Sequence, residues 1–155
     1  METDKPIYYK ENSVGLVIQN EKIVKTLNNY GITKNKSLII DIGDVIKKSN
    51  MKEELIPAFL LGYFDGDGGI YKNVSPKGYI QYSCSITGTF ETCTYYKTYF
   101  DNIGFYTKRH KDNKNNYTYQ IGGRNMVRQG LSNIYSVKDN LTFFFKRKYS
   151  LYCEL

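Results

Sequence analysis

The sequence predicts an α+β fold with helices covering one face of an antiparallel sheet. Three observations carry this reading. Residues 79–87 alternate apolar and polar without a break, as a half-buried strand does. Residues 89–103 and 124–135 carry apolar stripes at helical spacing. Turn residues separate these stretches at short intervals. The chain has 155 residues and a mass of 18.0 kDa, which suits one domain or one domain with an appendage.

The elements follow in order. Residues 14–18 form a short apolar run that reads as a strand. Residues 21–30 read as a helix with Ile23, Leu27 and Tyr30 on one face and Gly31 as its stop. Lys34, Asn35 and Lys36 precede a second apolar stretch at residues 38–42. Asn50 followed by Glu53 is a capping signal, and Pro57 restricts the next helix to a start near Glu54 or Leu55. Ala58, Phe59, Leu60, Leu61, Tyr63 and Phe64 make that helix apolar nearly all round, hence buried. Residues 65–69 end it.

Residues 69–73 and 79–87 read as a hairpin turning through Ser75, Pro76, Lys77 and Gly78. Ile80, Tyr82, Cys84 and Ile86 point one way; Tyr79, Gln81, Ser83, Ser85 and Thr87 point the other. The helix over residues 89–103 presents Phe90, Cys93, Tyr96, Phe100 and Ile103. A second hairpin joins residues 105–111 to 117–121, and a third helix, residues 124–135, turns Val127, Leu131 and Ile134 inward. The remainder reads as a tail rich in Phe, Lys and Arg.

Lys and Arg total 22 against 15 Asp and Glu, a net charge of +7. The excess favours an anionic partner, nucleic acid before membrane. An AT-rich gene would also enrich Lys, Asn, Ile and Tyr, so charge alone decides nothing. No apolar run approaches the ~18 residues of a membrane span, and the polar start lacks the apolar core of a secretion signal. The reading is therefore a cytoplasmic or organellar protein, not a secreted one. Cys84, Cys93 and Cys153 match no zinc spacing and read as core thiols. His110 is the only histidine and lies in a basic run, which leaves no histidine-based nucleophile chemistry.

A weak internal repeat appears at an offset of 104 positions, pairing Val17 with Ile121, Ile23 with Val127, Leu27 with Leu131 and Tyr30 with Ile134. It divides the chain into residues 1–48, a strand, helix and basic tail left from a partial repeat, and residues 49–155, a full domain.

The stretch with chemistry is Leu60-Leu61-Gly62-Tyr63-Phe64-Asp65-Gly66-Asp67-Gly68. A glycine inside a buried helix costs about 1 kcal/mol relative to alanine. Gly62 and Gly66 are one helical turn apart and permit a second helix to approach closely. Carboxylates at a helix C-terminus oppose its dipole. A second helix with a cation between the acids explains both features; an ordinary C-terminal turn into a hairpin also accommodates the acids.

The stretch Leu60 to Ile70 resembles the LAGLIDADG homing endonuclease motif in its bacterial, phage and intein-encoded form. Gly62, Asp65, Gly66, Asp67 and Gly68 all match, and Ser85 to Thr89, Tyr117 to Gly123 and the Lys-Arg-Lys-Tyr tail resemble family positions. The resemblance implies an αββαββα fold with a four-stranded antiparallel DNA-binding saddle. It implies that Gly62 and Gly66 pack the motif helices and that Asp65 braces the helix end. Asp67, helped by the Gly66 carbonyl, would bind Mg²⁺ or Mn²⁺. A basic residue from the tail, Lys146 first and Lys148 next, would stand at the site. DNA-facing candidates are Lys72, Tyr79, Gln81, Ser83, Ser85, Lys108, Arg109, Thr118, Gln120, Arg124 and Lys148. Gly88 departs from the family, which often places a polar residue there.

The resemblance thus implies a metal-dependent, sequence-specific endonuclease acting on double-stranded DNA and carried by an intron, intein or phage mobile element. One motif supplies one acid per chain, so cutting both strands calls for a homodimer or a partner chain with a second motif. A non-cleaving DNA-binding regulator and an intron RNA maturase are the alternatives.

Overall fold

Why the second half of the chain closes into one unit is visible in its strand register. The computed structural model describes residues 7–11, 13–15, 17, 19–33, 39–108 and 115–155. Two hairpins share one antiparallel sheet. Strand β3 (Gly68–Val74) pairs with β4 (Ile80–Gly88), which pairs with β6 (Tyr117–Gly122), and β6 pairs with β5 (Phe105–Lys108). The pairs Ile70↔Cys84, Cys84↔Ile121 and Ile86↔Tyr119 bring the apolar residues onto one face. Their two-residue alternation makes this unavoidable once register is set.

Helices cover that face. Helix α3 (Ile56–Asp67) buries Leu60, Leu61 and Phe64, α4 (Phe90–Tyr99) buries Cys93 and Tyr96, and α5 (Arg124–Tyr135) buries Val127, Leu131 and Ile134. The Tyr96 hydroxyl donates to the Leu60 carbonyl at 2.6 Å, tying α4 to α3 inside the core. The αββαββα order expected from the sequence is present, and the fold is α+β.

Local differences have local causes. Helix α2 (Ile42–Lys48) starts at the last residue of the apolar stretch 38–42 and is not expected from the sequence, because seven residues are too few to display a helical period. Asp41 caps it, its carboxylate accepting the Gly43 N–H at 2.8 Å. Asn50 does not cap α3; at φ 49° it turns the chain after α2, and a 3₁₀ turn over Glu53–Leu55 leads into α3 with Pro57 in the first turn. Helix α4 stops at Tyr99, short of residue 103, because Asp101, Asn102 and Gly104 take left-handed backbone. The expected tail contains helix α6 (Lys146–Cys153). Cys84 and Cys93 are buried, and burial pushes their thiols up to about 12 and about 11, but Cys153 is exposed and is no core thiol.

Before this unit, β1 (Tyr8–Lys10) pairs, among the described residues, only with β2 (Ser13–Gly15), and α1 (Glu21–Asn29) follows. The strand expected at 14–18 begins one residue earlier; residues 16 and 18 lie outside the described set, as does the Lys34-Asn35-Lys36 run. Asn20 caps α1 by accepting the Ile23 N–H at 3.1 Å. Among the described residues, no helix is long and apolar enough to cross a membrane.

Candidate nucleic-acid interface and acidic site

The motif helix has two unlike sides. Leu60, Leu61 and Phe64 are sealed in the core, whereas Gly62, Gly66 and Asp67 are exposed. A Cβ built on Gly62 or Gly66 would meet nothing within 4 Å. The two glycines floor a groove of about 370 Å³ walled by Ile32, Ile40, Phe59 and Asp67. A groove of about 650 Å³ lies between α2 and α4, but its carboxylates are engaged. Asp41 caps α2, and Glu91 accepts from Asn115 at 3.3 Å.

Asp65 and Asp67 differ sharply. The Asp65 side chain is buried, and its Oδ2 accepts the Phe145 N–H at 2.8 Å. It braces the segment entering α6. Asp67, the last residue of α3, is exposed, and among the described residues nothing hydrogen-bonds its carboxylate. Lys148 reaches back from α6 and is only 5% exposed. Its Nζ donates to the carbonyls of Phe64 at 2.8 Å, Asp65 at 2.7 Å and Gly68 at 2.6 Å. These carbonyls cluster where α3 passes into β3, the one of Phe64 also accepting the Gly68 N–H, and an ammonium there is favoured by the negative end of the helix dipole. The carbonyl of Gly66 is not among its acceptors. Burial holds the Lys148 ammonium below the usual lysine range, partly offset by the Asp65 charge.

Lys148 therefore does not face DNA; its donors are spent inside the fold. Lys146, the first residue of α6, is exposed. Tyr63, which the sequence reading passed over, stands one helical turn before Asp67 and lines the same groove. Its phenol is held far above the usual tyrosine range, by burial first and the Asp67 charge second. Tyr63 also occupies the space next to Gly88: a Cβ on Gly88 would lie 2.7 Å from its hydroxyl. The i, i+4 spacing to Asp67 was the available signal.

Register assigns the sheet's open face. Ser83, Ser85 and Thr87 of β4 alternate with the buried Tyr82, Cys84 and Ile86, and Ser85↔Gln120 and Thr87↔Thr118 put those partners beside them. Gln81 and Tyr71 continue the same face. Tyr79 precedes β4 and is exposed. Lys72 falls on the opposite face: it pairs with Tyr82, and its ammonium meets the Glu154 carboxylate at 2.5 Å. Arg124 also departs from expectation. Its guanidinium donates to the carbonyls of Leu155 at 2.7 Å and Glu154 at 2.6 Å. Both cations hold the end of α6, so neither is on the saddle. Lys108 closes β5 opposite Tyr117, and Arg109 lies outside the described residues. Among the described side chains, the open face bears hydroxyls and amides rather than cations.

A model of the LAGLIDADG-like domain matches residues 54–144, from the turn before α3 to the segment entering α6. The chain belongs to the LAGLIDADG family. Solved structures agree on the LAGLIDADG fold. An archaeal intron-encoded homing endonuclease, I-Vdi141I, complexed with DNA, is similar with a TM-score of 0.52 and 19% identity over 66% of this chain and 67% of that one. A point mutant of I-SmaMI is similar with a TM-score of 0.51 and 16% identity over 63% of this chain, but only 35% of its own length is covered. A comparison with curated protein sequences finds no match.

No group of three His, Cys, Asp or Glu side chains among the described residues is placed to hold an ion. Asp67 offers one exposed carboxylate, and oxygen donors are what a hard divalent cation takes. The donor chemistry fits such a cation, and the number of donors in one chain is incomplete.

Proposed function

We propose that this LAGLIDADG chain is a sequence-specific endonuclease of the homing type that hydrolyses phosphodiesters of double-stranded DNA. The observation supporting it most directly is the exposed Asp67 carboxylate at the end of α3, beside an open Gly62/Gly66 stripe. An unfilled glycine stripe on an otherwise buried helix accepts a second helix at close range. A second motif helix there brings a second acid beside Asp67. The endonuclease thus acts as a dimer of motifs.

Asp67 and the Gly66 carbonyl would hold the divalent cation. When bound, Mg²⁺ or Mn²⁺ supplies charge neutralisation and an activated water. Tyr63 restricts the groove behind Asp67, and Lys146 is the exposed cation for the scissile phosphate. Gln81, Ser83, Ser85, Thr118 and Gln120 supply donors and acceptors for base edges in the major groove. Residues 1–48 are read as a partial repeat and residues 49–155 as the working domain.

Supercoiled DNA carrying the target site and Mg²⁺ tests this directly. The wild-type chain is expected to linearise it, and Asp67→Asn to lose cleavage while still binding. Cleavage that survives Asp67→Asn removes the catalytic assignment. Binding without cleavage by the wild type favours the regulator, a reading that the lone exposed carboxylate of each chain supports.

A further inference from the structure

The N-terminal hairpin and helix are unfinished in two separate ways. Helix α1 buries none of its residues, although Ile23, Val24 and Leu27 give it an apolar side; Val24 is 51% and Leu27 39% exposed. Among the described residues, strand β2 pairs on one edge only, with β1. Unpaired edges and apolar stripes of this kind are binding surfaces.

The second half of the chain contains the same assembly in finished form. Hairpin β5–β6 leads into α5 as β1–β2 leads into α1. Ser13 and Tyr117 open the second strands opposite Lys10 and Lys108, and these openings are separated by the same 104 positions that relate Leu27 to Leu131. In the finished copy, β4 pairs the other edge of β6, and α5 packs on α3 and β4 with Val127, Leu131 and Ile134 fully buried. What completes this unit is therefore the preceding half, α3–β3–β4–α4. The first copy has nothing equivalent among the described residues. Ile32, just after α1, borders the open glycine stripe of α3. A motif helix seated on that stripe would thus pass beside the unfinished unit.

We propose that β1, β2 and α1 are the closing half of a second LAGLIDADG repeat, and that they bind an αββα segment bearing its own motif helix. This rests on the endonuclease reading only for what the second motif does. A second copy of this chain does not fit as the occupant, because its own α3–β3–β4–α4 half is already closed by its own β5–β6–α5. The occupant has a helix apolar on its inner side and ending in an acid, then a hairpin with one apolar face and a free edge for β2.

Hydrogen exchange and solution mass on the whole chain test this first. Alone, the chain is expected to exchange α1 amides about 100-fold faster than those of α5. Leu27→Asp should leave its thermal midpoint and mass unchanged, while Leu131→Asp unfolds it. Protection of α1 equal to that of α5, or a dimer that Leu27→Asp dissociates, would mean a second copy covers the stripe and would overturn the proposal. The second arm fuses an extra copy of residues 50–104 ahead of Met1. Protection of α1 should rise about tenfold or more and be lost again with Leu27→Asp; unchanged exchange sinks the idea. No DNA enters either measurement. Docking without cleavage would then fault the endonuclease reading alone, and failure of the fused segment to protect α1, with or without cleavage, would fault this one.

Discussion

Lys148 donates to the backbone carbonyl of Asp65 at 2.7 Å, so a side chain from α6 closes the end of the motif helix. The same ammonium takes the carbonyls of Phe64 and Gly68. Asp65 answers from its side chain, accepting the Phe145 N–H one residue before α6. The C-terminal segment and the motif helix are thereby clasped twice, on either side of the helix end that carries Asp67.

Replacing Lys148 by Met removes three hydrogen bonds to carbonyls, of which that of Phe64 keeps a partner in the Gly68 N–H, and should cost about 3 kcal/mol, read as a lower urea midpoint with unchanged slope. The pH dependence has a definite sign. The folded pKa is lowered, so the unfolded chain holds this proton more tightly. Wild-type stability should therefore rise relative to Lys148→Met as pH climbs from the depressed folded value toward the ordinary value of about 10.4. A flat difference over that range contradicts a buried, charged Lys148.

The Tyr63 phenol should stay protonated where exposed tyrosines ionise. Absorbance titration of wild type and Tyr63→Phe should coincide to about pH 11 and separate only above it. Because the folded pKa is raised, the stability linked to this proton is present below the unfolded value of about 10 and lost above it. Gly88→Ala should weaken the fold, since the new methyl meets the Tyr63 hydroxyl at 2.7 Å. The Tyr63→Phe background should recover part of the loss.

Gly62→Ala separates the helix from its partner. In the chain alone the methyl meets nothing, and the better helix former should stabilise by about 1 kcal/mol. If a second motif helix packs on this stripe, the same methyl should weaken association, seen as a shift in sedimentation toward the smaller species. Stabilisation without any effect on assembly would place the partner elsewhere.

Arg124→Ala should lower stability by about 1 kcal/mol through loss of the carbonyls of Glu154 and Leu155. DNA affinity should change by less than about twofold, with the salt dependence intact. Gln120→Ala on the open face should instead weaken binding to the target site relative to random DNA.

Much of this protein was legible in its sequence because periodicity reports directly on local geometry. The alternation through Tyr82, Cys84 and Ile86 decided which face of β4 is buried, although Ile80 at the start of the strand is exposed, and the helix read over residues 124–135 matches α5 to the residue. The motif stretch, read from Gly62 to Gly68, led to the family. Tertiary structure alone decided which charges are available. Lys72, Arg124 and Lys148 read as DNA-facing because the family resemblance sets the hairpin strands and the basic tail against DNA. Strand register put Lys72 on the covered face, and α6 folded back to place Lys148 under the motif helix and Glu154 beside Lys72. Those pairings join residues more than eighty positions apart, and no local pattern encodes a contact made only when the chain closes on itself.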